Sequence, residues 1–258
     1  KNNKNKKNNR IIMHGFNLLV MVLLLRYSSL SGGQLLQDLR GGGMQGAIHK
    51  EVFEFLQTSF PSTSFFLECF ASPLNATLLS CFASAYFSDL DWHFGSVGDF
   101  FTTEFDFNNT NGNICCEVNP PFSPAVMDAM MERIEYHLSR ANQENISLTF
   151  VVIVPAAVSH NNDKKSDDST TTTTVIQRYA ASSHNRMLQS SFCNIHIVLP
   201  AREHGYVEGA QHVRPTQFKE SQQDTSVFVL QSQKASQNVK LDQETFSQGI
   251  RKAFASKH

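Results

Sequence analysis

The chain has 258 residues, 41% of them hydrophobic and 17% charged, with a formal net charge of −1 at pH 7. That composition supports a globular protein able to bury a full core, one α/β domain with or without appendages. It excludes nucleic-acid binding through overall positive charge, so an RNA partner would need a local basic groove. Five cysteines, Cys69, Cys81, Cys115, Cys116 and Cys193, show no C-x-x-C spacing. That argues against a disulfide framework and against a zinc site, and for small buried thiols.

The Asn- and Lys-rich opening "KNNKNKKNNR" reads as a disordered basic tail over residues 1–10. "IIMHGFNLLVMVLLL" after it has the layout of a signal-peptide core. It is short for a bilayer span, is interrupted by His14, Gly15 and Asn17, and precedes no A-x-A site, so it reads as a buried helix. Helical patterning continues to Phe60, broken by Gly-rich "SGGQ" and "RGGGMQG", and residues 11–61 form a segment ahead of the core. "FFLECF" suits a buried strand, and "LNATLLSCFASAYF" is expected to be a helix. "NICCEV" is a strand candidate, followed by a helix in "PAVMDAMMERIEYHLSRAN", with Ser123 at the N-cap and Pro124 at the first helical position. Met127, Met130, Met131, Ile134, Leu138 and Ala141 form its core stripe.

"SLTFVVIVP" is apolar on both faces, as a central strand should be. Residues 159–174 interrupt the fold as a polar, Thr-rich insertion. A helix in "VIQRYAASSHNRMLQSS" and strands in "NIHIVLP" and "TSVFVLQSQ" follow, closing a domain over 62–232, with 233–258 as a polar tail. Strands alternating with helices imply βαβ units and a mostly parallel sheet flanked by helices.

Between a strand and a helix lies Asn119-Pro120-Pro121-Phe122. Ligands of such folds bind beyond the carboxyl ends of the strands. Two prolines fix φ and remove N–H groups, leaving carbonyls as acceptors. The Asn amide oxygen adds an acceptor, and the ring offers a stacking surface. Acceptors beside a ring suit an amino group on a planar base or amide. Taking both amino hydrogens draws the nitrogen toward sp3 geometry and aims its lone pair at an electrophile, so positioning supplies most of the catalysis. The same quartet would also serve as a rigid turn capping a helix.

"LECFASPLN", "DLDWHFGS", "VNPPF" with "MDAM", and "LPAREHGYVEGAQH" together resemble the family of cap-specific adenosine N6-methyltransferases, also called phosphorylated-CTD-interacting factor. "LLLRYSSL" and "GGGMQGAIHKEVFEFL" look like the segment ahead of that family's core. The resemblance implies a Rossmann-like class I fold that uses S-adenosylmethionine to methylate N6 of the cap-adjacent adenosine of mRNA. It implies catalytic roles for Asn119, Pro120, Pro121 and Phe122, and a donor site at Glu68, Phe70, Ala71, Pro73, Asn75, Asp91 and Phe94. Phe122, Pro155, Arg202, Glu203 and His204 would meet the capped nucleotide. No metal and no membrane is implied. The partner is the capped mRNA 5′ end in the nucleus, with the RNA polymerase II C-terminal domain bound through regions outside this chain. Pro124, Ala156, Ala157 and Arg202 depart from the family's pattern at positions concerned with substrate recognition. Another amino group, on an internal RNA adenosine or a protein glutamine, and non-catalytic RNA or protein binding remain alternative readings.

Overall fold

The computed structural model describes residues 2–30, 46–77, 81–104, 113–157, 182–207 and 218–255. Its strands are β1 (Thr63–Ala71), β2 (Phe82–Ser84), β3 (Ser96–Asp99), β4 (Asn113–Val118), β5 (Leu148–Pro155), β6 (Cys193–Leu199), β7 (Gly205–Val207), β8 (Phe218–Glu220) and β9 (Thr225–Gln231). The helices are α1 (Asn2–Ser29), α2 (Lys50–Ser59), α3 (Ser88–Asp91), α4 (Pro124–Gln143), α5 (residues 182–189), α6 (Gln233–Asn238) and α7 (Gln243–Phe254).

Seven strands form one sheet in the order β3-β2-β1-β4-β5-β9-β6, and β7 pairs with β8 apart from it. β1 to β5 run parallel, while β9 is antiparallel to both of its neighbours. This is a mostly parallel, Rossmann-like α/β sheet. Every residue of β5 and of β9 is buried, because helices cover both faces of the sheet there. On one face the Met127, Met130, Met131, Ile134 and Leu138 stripe of α4 packs on Leu67, Cys116, Val118, Val152 and Phe228. On the other, Val52, Phe53 and Leu56 of α2 and Phe246, Ile250 and Phe254 of α7 cover Val151, Ile153, Val227 and Val229.

Five expectations need correction. The described residues of 74–87 form no such helix: 73–75 make a turn, and Phe82, Ala83 and Ser84 form β2, buried between β1 and β3. Residues 233–258 are no peripheral tail, since α7 supplies part of the core. α2 belongs to a covering layer rather than to a preceding segment. α1 begins at Asn2, where a disordered tail was expected, and it is not a buried helix. Leu23 and Tyr27 are buried, whereas Met13, Phe16, Leu18, Met21 and Leu25 face solvent. No helix among the described residues is long and apolar enough to cross a membrane. The five cysteines are free thiols. Ser123 stands at the N-cap of α4 with Pro124 behind it, but its side chain makes no capping bond; its carbonyl accepts from Met127 N. The insertion at 159–174 lies outside the described residues.

Candidate active site

Strand order reverses direction between β1 and β4: the chain steps outward to β2 and β3 on one side, and to β5 on the other. Such a switch point leaves a crevice beyond the carboxyl ends of the two strands. Glu68 pairs with Glu117 across the β1–β4 ladder, so the loop after Ala71 and the Asn119–Phe122 turn leave the sheet side by side.

The turn faces a cavity of about 270 Å³, lined by Asn119, Pro120, Phe122, Pro155, Tyr206 and Thr225 together with Gly46 and the turn joining β8 to β9. That volume sits at the small end of ligand sites, about 300–1,000 Å³, and suits a single base. Asn119 Nδ2 donates to the Gly46 carbonyl at 3.0 Å, which fixes the amide and leaves Oδ1 as its remaining acceptor. Pro121 is buried behind the cavity, and its carbonyl accepts from Ser123 N at 2.7 Å, bracing the turn. Phe122 is half-buried and meets Tyr206 edge to face, with ring centroids 6.3 Å apart.

A relay behind the cavity holds Tyr206. The Pro200 carbonyl can only accept, so His204 Nδ1 donates to it at 2.7 Å. His204 Nε2 is then left to accept from Thr225 Oγ1 at 2.7 Å, and that hydroxyl accepts from Tyr206 OH at 2.8 Å. Burial holds the His204 imidazole below its usual range, which keeps it neutral as this tautomer requires. Burial pushes the Tyr206 phenol upward, so it stays a donor. His204 is 2% exposed and braces the site instead of meeting a ligand in it. Arg202 and Glu203 are exposed and line a separate cleft with Pro200 and residues of α7. Of the five residues assigned to the nucleotide, the cavity gathers Phe122 and Pro155.

The family model described as "Phosphorylated CTD interacting factor 1 WW domain" matches residues 2–209. The chain belongs to that family. Two curated relatives, in Mus musculus and Homo sapiens, are each named mRNA (2'-O-methyladenosine-N(6)-)-methyltransferase, and each is 34% identical over 218 residues. The match covers 83% of this chain and 25% of each relative, so the chain spans about a quarter of their length. The family match takes in the Asn119–Phe122 turn and the sheet through β7; β8 and β9, which wall the cavity on its far side, follow it.

On the β1 side of the crevice, Asn75 Oδ1 accepts from Ser72 N and Ser72 Oγ, both at 2.8 Å, closing a tight turn around Pro73. Glu68 Oε2 accepts from Thr77 N at 2.9 Å and ties down the same loop. Phe70 is a core aromatic, packed 4.8 Å from Phe100 and 5.6 Å from Phe101, and Ala71 is buried at the strand end. Neither offers a side chain to an open crevice. Asp91 is fully buried, accepts from Tyr27 OH at 2.6 Å through Oδ2, and its Oδ1 has no donor among the described residues. Burial raises its carboxyl to about 6. Phe94 packs with Leu23, Tyr27 and Leu90 beneath α1. Among the described residues no group of three or more His, Cys, Asp or Glu could hold a metal ion.

Sequence reasoning missed Tyr206, Thr225, Gly46 and the β8–β9 turn. Tyr206 lay within the quoted "LPAREHGYVEGAQH" and carried an aromatic signal. The polar "KESQQD" carried none, since only strand pairing brings it to the site.

Proposed function

We propose that this chain is the catalytic part of an S-adenosylmethionine-dependent methyltransferase acting on N6 of the adenosine beside the mRNA cap, the activity for which its mouse and human relatives are named. The observation that carries the reading is the Asn119–Phe122 turn in a base-sized cavity, with its Asn amide oriented by Gly46. Asn119 Oδ1 and the Pro120 carbonyl accept the two hydrogens of the amino group. Phe122 stacks on the adenine, and Pro155 and Tyr206 close the apolar side and exclude water. The nitrogen lone pair is turned out of the ring plane toward the β1–β4 crevice. The nitrogen sheds its extra proton to water once the new bond is made, so no strong base is required. The rate gain comes from orientation.

The donor, when bound, supplies a methyl carbon activated by a sulfonium. The residues at the crevice fit such a group. Asp91 Oδ1 is a buried acceptor lacking a donor, as a ribose hydroxyl would supply, and the Ser72–Asn75 turn lies where the methionine end would rest. The capped mRNA 5′ end is the substrate and the nucleus the place of action.

Incubating the chain with radiolabelled methyl donor and capped RNA beginning with 2′-O-methyladenosine tests this. Transfer to that RNA, and its absence with a first guanosine, is expected. Asn119→Ala should cost on the order of 10²–10³ in rate, the scale of losing one oriented polar contact to the reacting group, while donor binding by calorimetry persists. Equal transfer by that variant would overturn the mechanism, and labelling of uncapped RNA at internal adenosines would redirect the substrate.

A further inference from the structure

The wall that closes the base cavity on one side is the lining of a second cleft on the other. Residues 200–205 turn back between β6 and β7, pinned by Arg202 N donating to Ser221 O and Ser221 N donating to His204 O, both at 2.8 Å. Ser221 lines the base cavity, while Arg202, Glu203 and His204 line a cleft of about 450 Å³ against the end of α7. The two hollows are therefore separated by one turn of chain.

The cleft is basic. Arg202, Arg251 and Lys252 converge on it, and among the described residues lining it Glu203 is the one carboxylate. His204 adds no charge, because burial holds it neutral. Arg251 is anchored there by Nη2 donating to the Val198 carbonyl at 2.7 Å. Arg202 holds φ at +67°, a left-handed conformation strained for a side-chain-bearing residue, and the Ser221 hydrogen bond keeps it there. The result is a guanidinium held in solvent at the lip of a positive cleft in a chain whose net charge is −1.

We infer that this cleft is the track for the phosphodiester backbone of the RNA whose first base enters the neighbouring cavity. The inference rests on the proposed RNA substrate and extends it past the methylated nucleotide. A strand with one base in the cavity reaches this cleft by crossing a single turn. Guanidinium groups grip phosphate oxygens in pairs, and the locally positive potential supplies what the overall charge withholds. An acidic peptide would match the charge but has no reason to lie beside a base-sized pocket.

Two measurements test it. Fluorescence anisotropy of a labelled single-stranded RNA of about ten nucleotides, across a salt series, reads binding without catalysis. Each phosphate contact contributes roughly −0.7 to the slope of log affinity against log salt, so Arg202→Ala should flatten the slope by about 0.7. In methyl transfer, the same variant should raise KM for the long capped RNA roughly tenfold more than for a capped dinucleotide. An unchanged slope, an equal penalty on both substrates, or displacement of the RNA by an acidic peptide at equal concentration would overturn the inference. A wild-type chain that binds RNA with the steep slope but transfers no methyl would sink the proposed activity and leave the phosphate track standing. Thermal melting of the variant checks its fold, and Arg202→Lys, which retains the charge, should recover part of the slope.

Discussion

Asn119 can present its amide oxygen to a substrate because Gly46 has taken the nitrogen end; an unrestrained amide would spend half its time facing the wrong way. The same logic sets Phe122 apart from the other aromatics of the chain, since it is half-buried and touches Tyr206 without entering either main core cluster. Phe122→Ala should therefore cost about 1–3 kcal/mol of substrate stacking, a five- to 150-fold fall in kcat/KM, with little movement in melting temperature. A drop of more than a few degrees would make it a packing residue instead. Tyr206→Phe removes one donor from the relay and leaves Thr225 able to serve His204; a stability loss of about 1 kcal/mol in urea unfolding is expected, and a much larger one would mean that the phenol holds more than Thr225.

At the scale of elements, α7 is the instructive case. Its composition is polar, which suggests a peripheral tail. Yet Phe246, Ile250, Ala253 and Phe254 fall at spacings of four, seven and eight, and all four are buried. The stripe was legible; the composition around it obscured it. α4, with its Met stripe and Pro124 start, and the strands β1, β4, β5, β6 and β9 were plain because each is long or uniformly apolar. β2 was not. Three residues give no period, and helix-forming Leu and Ala surround them, so burial between neighbours overrode local preference. The quartet at 119–122 stood out by its chemistry, but its far wall comes from β8 and the loop after it, and no local pattern announces a long-range pairing.

The α2–α7 contact depends on Gly249, where a Cβ would run into the Phe55 ring. Alanine improves an exposed helix by about 1 kcal/mol relative to glycine, but Gly249→Ala is expected to lower the melting temperature, because the helices would have to part. Phe254→Ala at the same seam should cost about 3–5 kcal/mol. Should Gly249→Ala stabilise the protein, the seam is looser than described.

For the whole molecule, buried carboxylates make stability depend on pH. Burial, with Asp91's share only partly offset by Tyr27 and Ser84, raises that carboxyl to about 6; burial and then Glu68 push Glu117 well upward. In both cases the folded state binds a proton more tightly than the unfolded chain. Their contribution is thus fully present below the ordinary carboxylate range, near 4, and is lost as pH climbs through the raised value. Burial lowers His137, His184, His196 and His204, which act in the opposite sense over the same range, so the carboxylate is read by difference: the urea midpoint of Asp91→Asn relative to the wild type should rise between pH 5 and pH 7. Glu117→Gln, which removes the charge and keeps the shape, should raise the midpoint at pH 7. A difference between Asp91→Asn and the wild type that does not change with pH would show Asp91 already ionised in the fold.

The short bridge between Ala47 and Val207, beside the Gly46 carbonyl, joins a stretch ahead of the first sheet strand to the rim of the base cavity. Trimming the protein back to Lys50 would spare every strand of the main sheet and both helical layers. Circular dichroism would lose the signal of α1 and keep that of the sheet and its covering helices, yet the clasp on the amide would be gone, leaving a sound scaffold with an unaimed tool.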